Sequence, residues 1–208
     1  MQFDLFDTTS NQILEAKTYA DFKKLLQESN CTKCSLSQSR QHHIVVDRGN
    51  PEAKVLMIGE APGENEDIQG KAFVGRAGQL MDQMMNEIGI DTNRDTLIAN
   101  VVKCRPPENR APKQEEVDQC IPFLRKQIAF IKPKIIVLLG ATALKHLIPS
   151  KSSASMGDEV GKFFTHPDFP NVQIIILYHP AFILRDPRKK PVMAEHLKTL
   201  KNLMKKNI

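Results

Sequence analysis

The chain has only four cysteines among its 208 residues, and it has no apolar segment long enough to cross a membrane. Its first fifteen residues lack both the basic start and the continuous apolar stretch of a secretion signal, so we expect a cytoplasmic location in which thiols stay reduced. The length and the 41% of hydrophobic residues suit a single α/β domain over residues 1–208, which we expect to be a monomer.

The four cysteines form one candidate metal site. Cys31 and Cys34 are a C-x-x-C pair, whereas fifteen residues separate Cys104 from Cys120, which is too wide for the second half of a zinc ribbon. Two thiolates three positions apart on a tight turn can point at a common centre. The spacing favours an iron-sulfur cluster over zinc, and the alternatives are disulfides, buried free thiols or a redox C-x-x-C pair.

Apolar runs rich in β-branched residues alternate with helical patterns along the chain. The runs lie at residues 54–58, 96–102, 134–139 and 172–177, and the helical patterns lie at residues 13–27, 80–88, 114–131, 141–147 and 192–204. This alternation predicts a parallel sheet covered by helices on both faces. The loops that leave the carboxyl ends of the strands should therefore converge at one site.

Two glycine-rich segments follow the first predicted strand. GEAPGENED begins at Gly59, and GKAFVGRAG begins at Gly70. Glycines let a backbone approach a ligand closely, but the G-K-[ST] of a nucleotide-binding P-loop is missing, and the four carboxylates of the first segment would repel polyphosphate. The loop therefore suits an uncharged ligand. Phe73, between the glycines, is either a stacking platform for a base or a core residue.

Polar side chains also follow later strands. Asn100 can offer one donor and one acceptor to a base edge, or it can cap a turn. His179 stands where the chain leaves the fourth strand and can donate to a developing oxyanion, or it can be structural. Residues 185–208 contain eight lysines and arginines against two acidic residues, so their balance is 8 − 2 = +6. Such a segment attracts a phosphate backbone, or it is the solvated face of a helix.

In combination, GEAPGENED, GKAFVGRAGQLM, NVVKCRPPENRAP, YHPAFILRDPRKK and the cysteine spacing resemble family 4 uracil-DNA glycosylases, the iron-sulfur branch of the uracil-DNA glycosylase superfamily. The resemblance extends from about residue 31 through the C-terminal helix. It implies a three-layer α/β/α sandwich around a four-stranded parallel sheet. It also implies hydrolysis of the N-glycosidic bond of deoxyuridine in single- or double-stranded DNA, after base flipping, to leave an abasic site for base excision repair.

The resemblance implies roles for individual residues. Phe73 would stack on the flipped uracil, Asn100 would read its Watson–Crick edge, and His179 would donate to O2 as charge builds on the departing base. Glu60 would orient water or stabilise the oxocarbenium-like sugar. The implied sets are Gly59, Ala61, Phe73, Asn100 and His179 for uracil, Leu184, Arg185, Arg188 and Lys190 for DNA, and Cys31, Cys34, Cys104 and Cys120 for a 4Fe-4S cluster.

The start of the chain carries a separate partner signal. Gln2, Phe3, Asp4, Leu5 and Phe6 resemble the pentapeptide by which bacterial replication and repair proteins bind the sliding clamp, and the alternative is that these apolar residues pack onto the domain. A clamp-bound repair enzyme would be nucleoid-associated. The alternative function for the whole chain is a non-catalytic iron-sulfur or zinc protein that binds nucleic acid or transfers electrons.

Overall fold

The computed structural model describes residues 7–208, so the candidate clamp-binding peptide at residues 2–6 lies outside the described part of the chain. The strands are β1 (Arg48–Gly49), β2 (Val55–Gly59), β3 (Leu97–Asn100), β4 (Ile135–Leu139), β5 (Phe163–His166) and β6 (Phe169–Leu177). The helices are α1 (Asp7–Glu15), α2 (Tyr19–Glu28), α3 (Leu36–Ser39), α4 (Glu64–Gln69), α5 (Arg76–Glu87), α6 (Thr92–Asp95), α7 (Gln114–Ile131), α8 (Gly140–Leu147), α9 (Met156–Glu159), α10 (Pro180–Arg185) and α11 (Lys190–Asn207). Short 3-10 helices lie at Pro107–Asn109, Pro149–Lys151 and Pro187–Lys189.

The sheet has six strands in the order β1-β3-β2-β4-β6-β5. Its four inner strands, β3, β2, β4 and β6, are parallel, which confirms the predicted parallel core. β1 and β5 extend this core by antiparallel pairing at the two edges. These edge strands were not predicted, because β1 has two residues and β5 alternates exposed with half-buried side chains instead of forming an apolar run.

Helices cover both faces of the sheet, which confirms the three-layer α/β/α sandwich. Side chains alternate between the faces along β2, so that Leu56 packs in one core cluster and Met57 in the other. The first cluster includes buried residues of α1, α2, α7 and α8, and the second includes those of α5, α10 and α11. Across residues 7–208, no helix is both long enough and apolar enough to cross a membrane.

The N-terminal helical segment differs from the prediction of one helix over residues 13–27. The chain forms α1 and α2 with a break between them, because Thr18 adopts an extended conformation and its side chain accepts a hydrogen bond from the Asp21 N–H at 3.1 Å. A threonine in this position begins a new helix. Ile13 of α1 and Phe22 of α2 are both buried in the same core cluster, so the break lets both helices pack against each other and against α7.

Candidate functional site

A cavity of about 550 Å³ lies at the carboxyl ends of the four parallel strands. Glu60 follows β2, Asn100 ends β3, Gly140 follows β4 and His179 follows β6, and all four line the cavity. The predicted convergence of the strand-end loops is therefore confirmed. The cavity is also lined by Ala61, Glu66, Phe73, Arg110, Thr142 and Arg185.

Asn100 presents an unpaired carboxamide to this cavity. The residue is 1% exposed, and within residues 7–208 neither its Oδ1 nor its Nδ2 has a hydrogen-bond partner. An unpaired buried polar group destabilises a protein by about 1–3 kcal/mol. A ligand that offers an adjacent donor and acceptor would satisfy both atoms.

Gly59 leaves the space that brings Phe73 and Asn100 together. A Cβ at Gly59 would lie 2.5 Å from Phe73 Cζ and 2.6 Å from Asn100 Oδ1, closer than any side chain could tolerate. Gly59 itself does not line the cavity, so it acts by its lack of a side chain. Phe73 is 5% exposed, packs in the core and also lines the cavity, so both of its predicted roles are compatible with this position.

The backbone at Phe73 has the left-handed φ of 55°, which a phenylalanine rarely adopts. Glu66 stabilises the loop around it, because its carboxylate accepts hydrogen bonds from the N–H groups of Gly63 at 3.1 Å, Val74 at 2.8 Å and Gly75 at 2.6 Å. This carboxylate thereby joins the two glycine-rich segments. Sequence reasoning did not identify this role, although a glutamate three positions after a helix N-cap is a capping signal.

The environment of His179 keeps its imidazole neutral. Burial, together with the smaller effect of the positive charge of Arg185, lowers the pKa of His179 to about 4. His179 Nδ1 accepts a hydrogen bond from the Ala181 N–H at 3.1 Å, so the remaining ring proton is on Nε2. The ring also packs beside Phe73, with 5.5 Å between the centroids. A neutral imidazole with Nε2–H is a hydrogen-bond donor at physiological pH.

Glu60 is held by a neighbour that sequence reasoning missed. The Thr142 hydroxyl, at the start of α8, donates a hydrogen bond to the Glu60 carboxylate. Because the two residues are 82 positions apart, only the pairing of β2 with β4 brings them together. Ala61 lines the cavity next to Glu60 and carries no functional group, which leaves Glu60 as the acidic group at this end of β2.

The four candidate DNA-binding residues lie on or just after α10. Arg185 lines the cavity, and its neighbour Leu184 is 39% exposed. Arg188 is exposed and makes an ion pair with Asp186 at 2.7 Å, and Lys190 begins α11. Arg185 is therefore the member of this set that lines the cavity.

The four cysteines surround a second, small cavity as free thiols, so the disulfide alternative is wrong. Burial is the main reason why the pKa of Cys104 rises to about 11 and the pKa of Cys120 to about 12. The Arg40 guanidinium donates to Cys104 Sγ at 3.6 Å. In the described part of the chain, no three cysteine, histidine or acidic side chains are close enough to bind one metal ion.

Glu116 links the cysteine site to the wall of the larger cavity. Its buried carboxylate accepts hydrogen bonds from the guanidinium of Arg110 at 2.6 and 2.8 Å, from the Lys113 N–H at 2.7 Å and from the Ser35 hydroxyl at 2.7 Å. The Arg110 guanidinium is the main reason why the pKa of Glu116 falls to about 2. Ser35 adjoins Cys34, and Arg110 lines the larger cavity, so one carboxylate joins the two sites.

The fold and the cavity define an α/β protein with a cavity at the carboxyl end of its parallel sheet, lined by Phe73, Asn100 and His179. The family model for the Uracil DNA glycosylase superfamily matches residues 46–201. A type-4 uracil-DNA glycosylase of Saccharolobus solfataricus is 40% identical over 177 residues, which are 84% of this chain and 82% of that protein. A type-4 uracil-DNA glycosylase of Thermotoga maritima is 38% identical over 180 residues, which are 85% of this chain and 90% of that protein.

A type-5 uracil-DNA glycosylase of Pyrobaculum aerophilum is more distant, at 27% identity over 150 residues, which are 64% of this chain and 63% of that protein. The chain belongs to the type-4 branch of the uracil-DNA glycosylase superfamily.

Proposed function

We propose that the chain is a monofunctional uracil-DNA glycosylase, which hydrolyses the N-glycosidic bond of deoxyuridine in DNA, releases uracil and leaves an abasic site for base excision repair. The observation that carries this proposal is the unpaired carboxamide of Asn100 at the cavity. Uracil presents a donor at N3 and an acceptor at O4, which would pair with Oδ1 and Nδ2 of Asn100. The type-4 relatives support the same activity.

The substrate base must leave the duplex before it reaches Asn100, because its reacting carbon is otherwise stacked between neighbouring bases. Extrusion costs a few kcal/mol, and it costs least at a mismatch or in a single strand. Phe73, which lines the cavity beside His179, would stack on the flipped uracil and offset part of this cost. G·U pairs and single-stranded uracil should therefore be cleaved faster than A·U pairs.

The two proposed catalytic residues, His179 and Glu60, stabilise charges of opposite sign on the base and the sugar. Neutral His179 donates its Nε2–H to uracil O2, where negative charge develops as the glycosidic bond breaks. Glu60, held by Thr142, orients the attacking water or stabilises the positive charge on the sugar. Ala61 brings the backbone close to the base, and Gly59 contributes to uracil binding by leaving room for Phe73 and Asn100. A fixed donor and a fixed carboxylate need little rearrangement as the charges separate.

DNA contacts in the proposal come from α10 and the residues after it. Leu184 or Arg185 enters the space that the flipped base leaves, and Arg188 and Lys190 bind phosphates. The position of Arg185 at the cavity and the exposure of Leu184 support this arrangement. The basic segment over residues 185–208 would add attraction that weakens with salt.

A 4Fe-4S cluster on Cys31, Cys34, Cys104 and Cys120 is the proposed cofactor. Four free thiols around one small cavity suit a cluster, in which each thiolate binds a different iron and need not converge on one ion. When bound, the cluster supplies a cross-link between the C-x-x-C turn, the loop after β3 and helix α7. Through Glu116 that cross-link would hold Arg110 at the larger cavity.

The proposal also includes a single domain over residues 1–208, a monomeric state, a cytoplasmic, nucleoid-associated location, and binding to a bacterial sliding clamp through residues 2–6. The proposed binding to the sliding clamp rests on the sequence of residues 2–6. Binding of the wild type to a bacterial clamp, compared with binding of a Leu5→Ala/Phe6→Ala variant, tests it. Equal binding by the two proteins contradicts a specific role for the peptide.

The direct test of the activity is incubation with uracil-containing single- and double-stranded oligonucleotides, followed by alkali to cut abasic sites. The wild type should produce strand scission, Asn100→Asp should lose most of it, and Asn86→Asp, on the exposed end of α5, should retain it. Absence of scission by the wild type on every substrate would contradict the proposal and favour a non-catalytic iron-sulfur or zinc protein that binds nucleic acid or transfers electrons.

A further inference from the structure

Lys103 is a lysine in the interior of the protein, with 1% of its surface exposed. Its ammonium donates one hydrogen bond to the backbone carbonyl of Asn100 at 2.8 Å and another to Oε1 of Gln127. Both partners are uncharged. A buried charge is expensive unless hydrogen bonds hold it, so a lysine in this position needs a structural or functional reason.

Gln127, one partner of the Lys103 ammonium, is itself held by further hydrogen bonds. Gln127 Nε2 donates to the Val46 carbonyl at 3.2 Å and to the Tyr19 hydroxyl at 3.1 Å, which orients Oε1 of Gln127 toward the ammonium. The Tyr19 hydroxyl in turn donates to the Asp47 carboxylate. Because each partner is oriented by the next, the ammonium has one preferred position.

The other hydrogen bond of the Lys103 ammonium goes to the backbone of Asn100, the residue that reads uracil in the proposed function. Asn100 is the last residue of β3, and its carboxamide makes no hydrogen bond within the described residues. Its orientation therefore depends on the backbone of Asn100 and on packing against Phe73 and Gly59. An ammonium bound to the Asn100 carbonyl restrains that backbone by a charge-assisted hydrogen bond.

We propose that Lys103 is a positioning residue for Asn100, whose carbonyl it holds so that the carboxamide stays aligned with uracil in the cavity. The inference rests on the proposed function. Lys103 also lines the cysteine cavity, so a role confined to the cysteine site is the competing explanation. The two explanations differ in what is lost when the ammonium is removed.

The test compares Lys103→Met, which keeps the length of the side chain without its donors, with Tyr19→Phe. Tyr19→Phe removes one partner of Gln127, but Gln127 Nε2 keeps its bond to the Val46 carbonyl and so still presents Oε1 to Lys103. Binding of free uracil is measured by calorimetry, affinity for abasic-site DNA by gel shift, and iron content by visible absorption and metal analysis.

Lys103→Met should weaken uracil binding by about tenfold or more, the loss expected for misplacing a buried hydrogen-bonding group. Its affinity for abasic-site DNA and its iron content should match those of the wild type, and Tyr19→Phe should bind uracil as the wild type does. Equal uracil binding by Lys103→Met and the wild type overturns the inference, as does an equal loss in Tyr19→Phe. Loss of iron in Lys103→Met assigns the lysine to the cysteine site instead.

If Lys103→Met does not fold, the same measurements are made on Lys103→Gln, which offers a polar group to Gln127 but is shorter than lysine. Failure of both variants to fold overturns the positioning role in favour of a purely structural one. A wild type that neither cleaves uracil-DNA nor binds uracil contradicts the proposed function itself, and that result is distinct from any difference between variants.

Discussion

The carboxylate of Glu66 accepts a hydrogen bond from the backbone N–H of Gly75 at 2.6 Å. Together with its bonds to Gly63 and Val74, this contact ties the loop after β2 to the loop that carries Phe73. Phe73 keeps an unfavourable backbone conformation at the cavity because the surrounding loop is held in this way. The position of Phe73, the proposed stacking residue, therefore depends on a carboxylate that need not touch the base.

Replacement of this carboxylate should loosen the Phe73 loop. Glu66→Ala leaves three partly buried N–H groups without this acceptor, so we expect a loss of about 1–3 kcal/mol in the free energy of unfolding and a rise in KM for uracil-DNA. Urea denaturation and steady-state kinetics measure the two effects. Glu64→Ala is the control, because that side chain is 65% exposed and makes only a 3.4 Å ion pair with Arg105. Similar losses in both variants would contradict a specific role for Glu66.

A methyl group at Gly59 should disturb the site more than the fold. In Gly59→Ala the added Cβ would push on Phe73 and Asn100, and overpacking of this kind costs about 1–3 kcal/mol. If this strain destabilises the complex with the reacting base, kcat/KM falls by about tenfold to a hundredfold. The control is Gly157→Ala, since the nearest atom to a Cβ there is Ser155 Oγ at 3.7 Å. Unchanged kcat/KM in Gly59→Ala would show that the cavity tolerates the methyl group.

The lowered pKa of His179 predicts the shape of the pH profile. An ordinary histidine titrates near 6.5, whereas His179, with a pKa of about 4, stays neutral above about pH 5. Titration of His179 should therefore leave the single-turnover rate of uracil release unchanged between pH 5.5 and 8. Both limits lie about one unit or more above the pKa of His179. A rate that falls as the pH rises through about 6.5, in the wild type but not in His179→Gln, would show that the protonated imidazole is the donor and would contradict a neutral one.

The lowered pKa of His179 also predicts how the stability of the protein changes with pH. Between about pH 4 and pH 6.5 the unfolded chain binds a proton at His179 that the folded chain does not, so stability rises with pH through this window and is lost as the pH falls through it. The contribution is at most about 3.4 kcal/mol. The dependence of the unfolding free energy on pH over this window should be shallower in His179→Gln than in the wild type. Equal slopes would argue against the lowered pKa.

Arg185 should matter more for duplex DNA than for single strands. If its side chain fills the space left by the flipped base, Arg185→Ala should slow cleavage of an A·U duplex and leave single-stranded uracil nearly unaffected. A role limited to phosphate binding would instead weaken both substrates and lower the salt dependence of binding by about one ion. Lys198→Ala, an exposed basic position on α11, is the control. Unaltered duplex cleavage in Arg185→Ala would remove the wedge role.

Much of the fold could be predicted because it is encoded in local patterns. The apolar runs of the four inner strands are continuous, and the bounds of α7 at Gln114–Ile131 match the prediction, since a helical period is visible in neighbouring residues. The edge strands and the break before α2 were missed. β1 and β5 depend on pairing with distant strands, and the break at Thr18 depends on a capping bond that the apolar pattern does not reveal.

The sequence by itself determined the class of fold, the strand ends at which Glu60, Asn100 and His179 converge, and the family. The alternation of strands with helices along the chain and the loop motifs are both visible in short-range residue patterns. Only the tertiary structure decided that Glu66 holds the Phe73 loop, that Thr142 holds Glu60 and that Lys103 holds Asn100 within a buried network reaching Tyr19. These supporting contacts join loops, or elements far apart in the chain, so packing of the sheet and its helices creates them. Residue type alone does not specify which buried polar groups will meet.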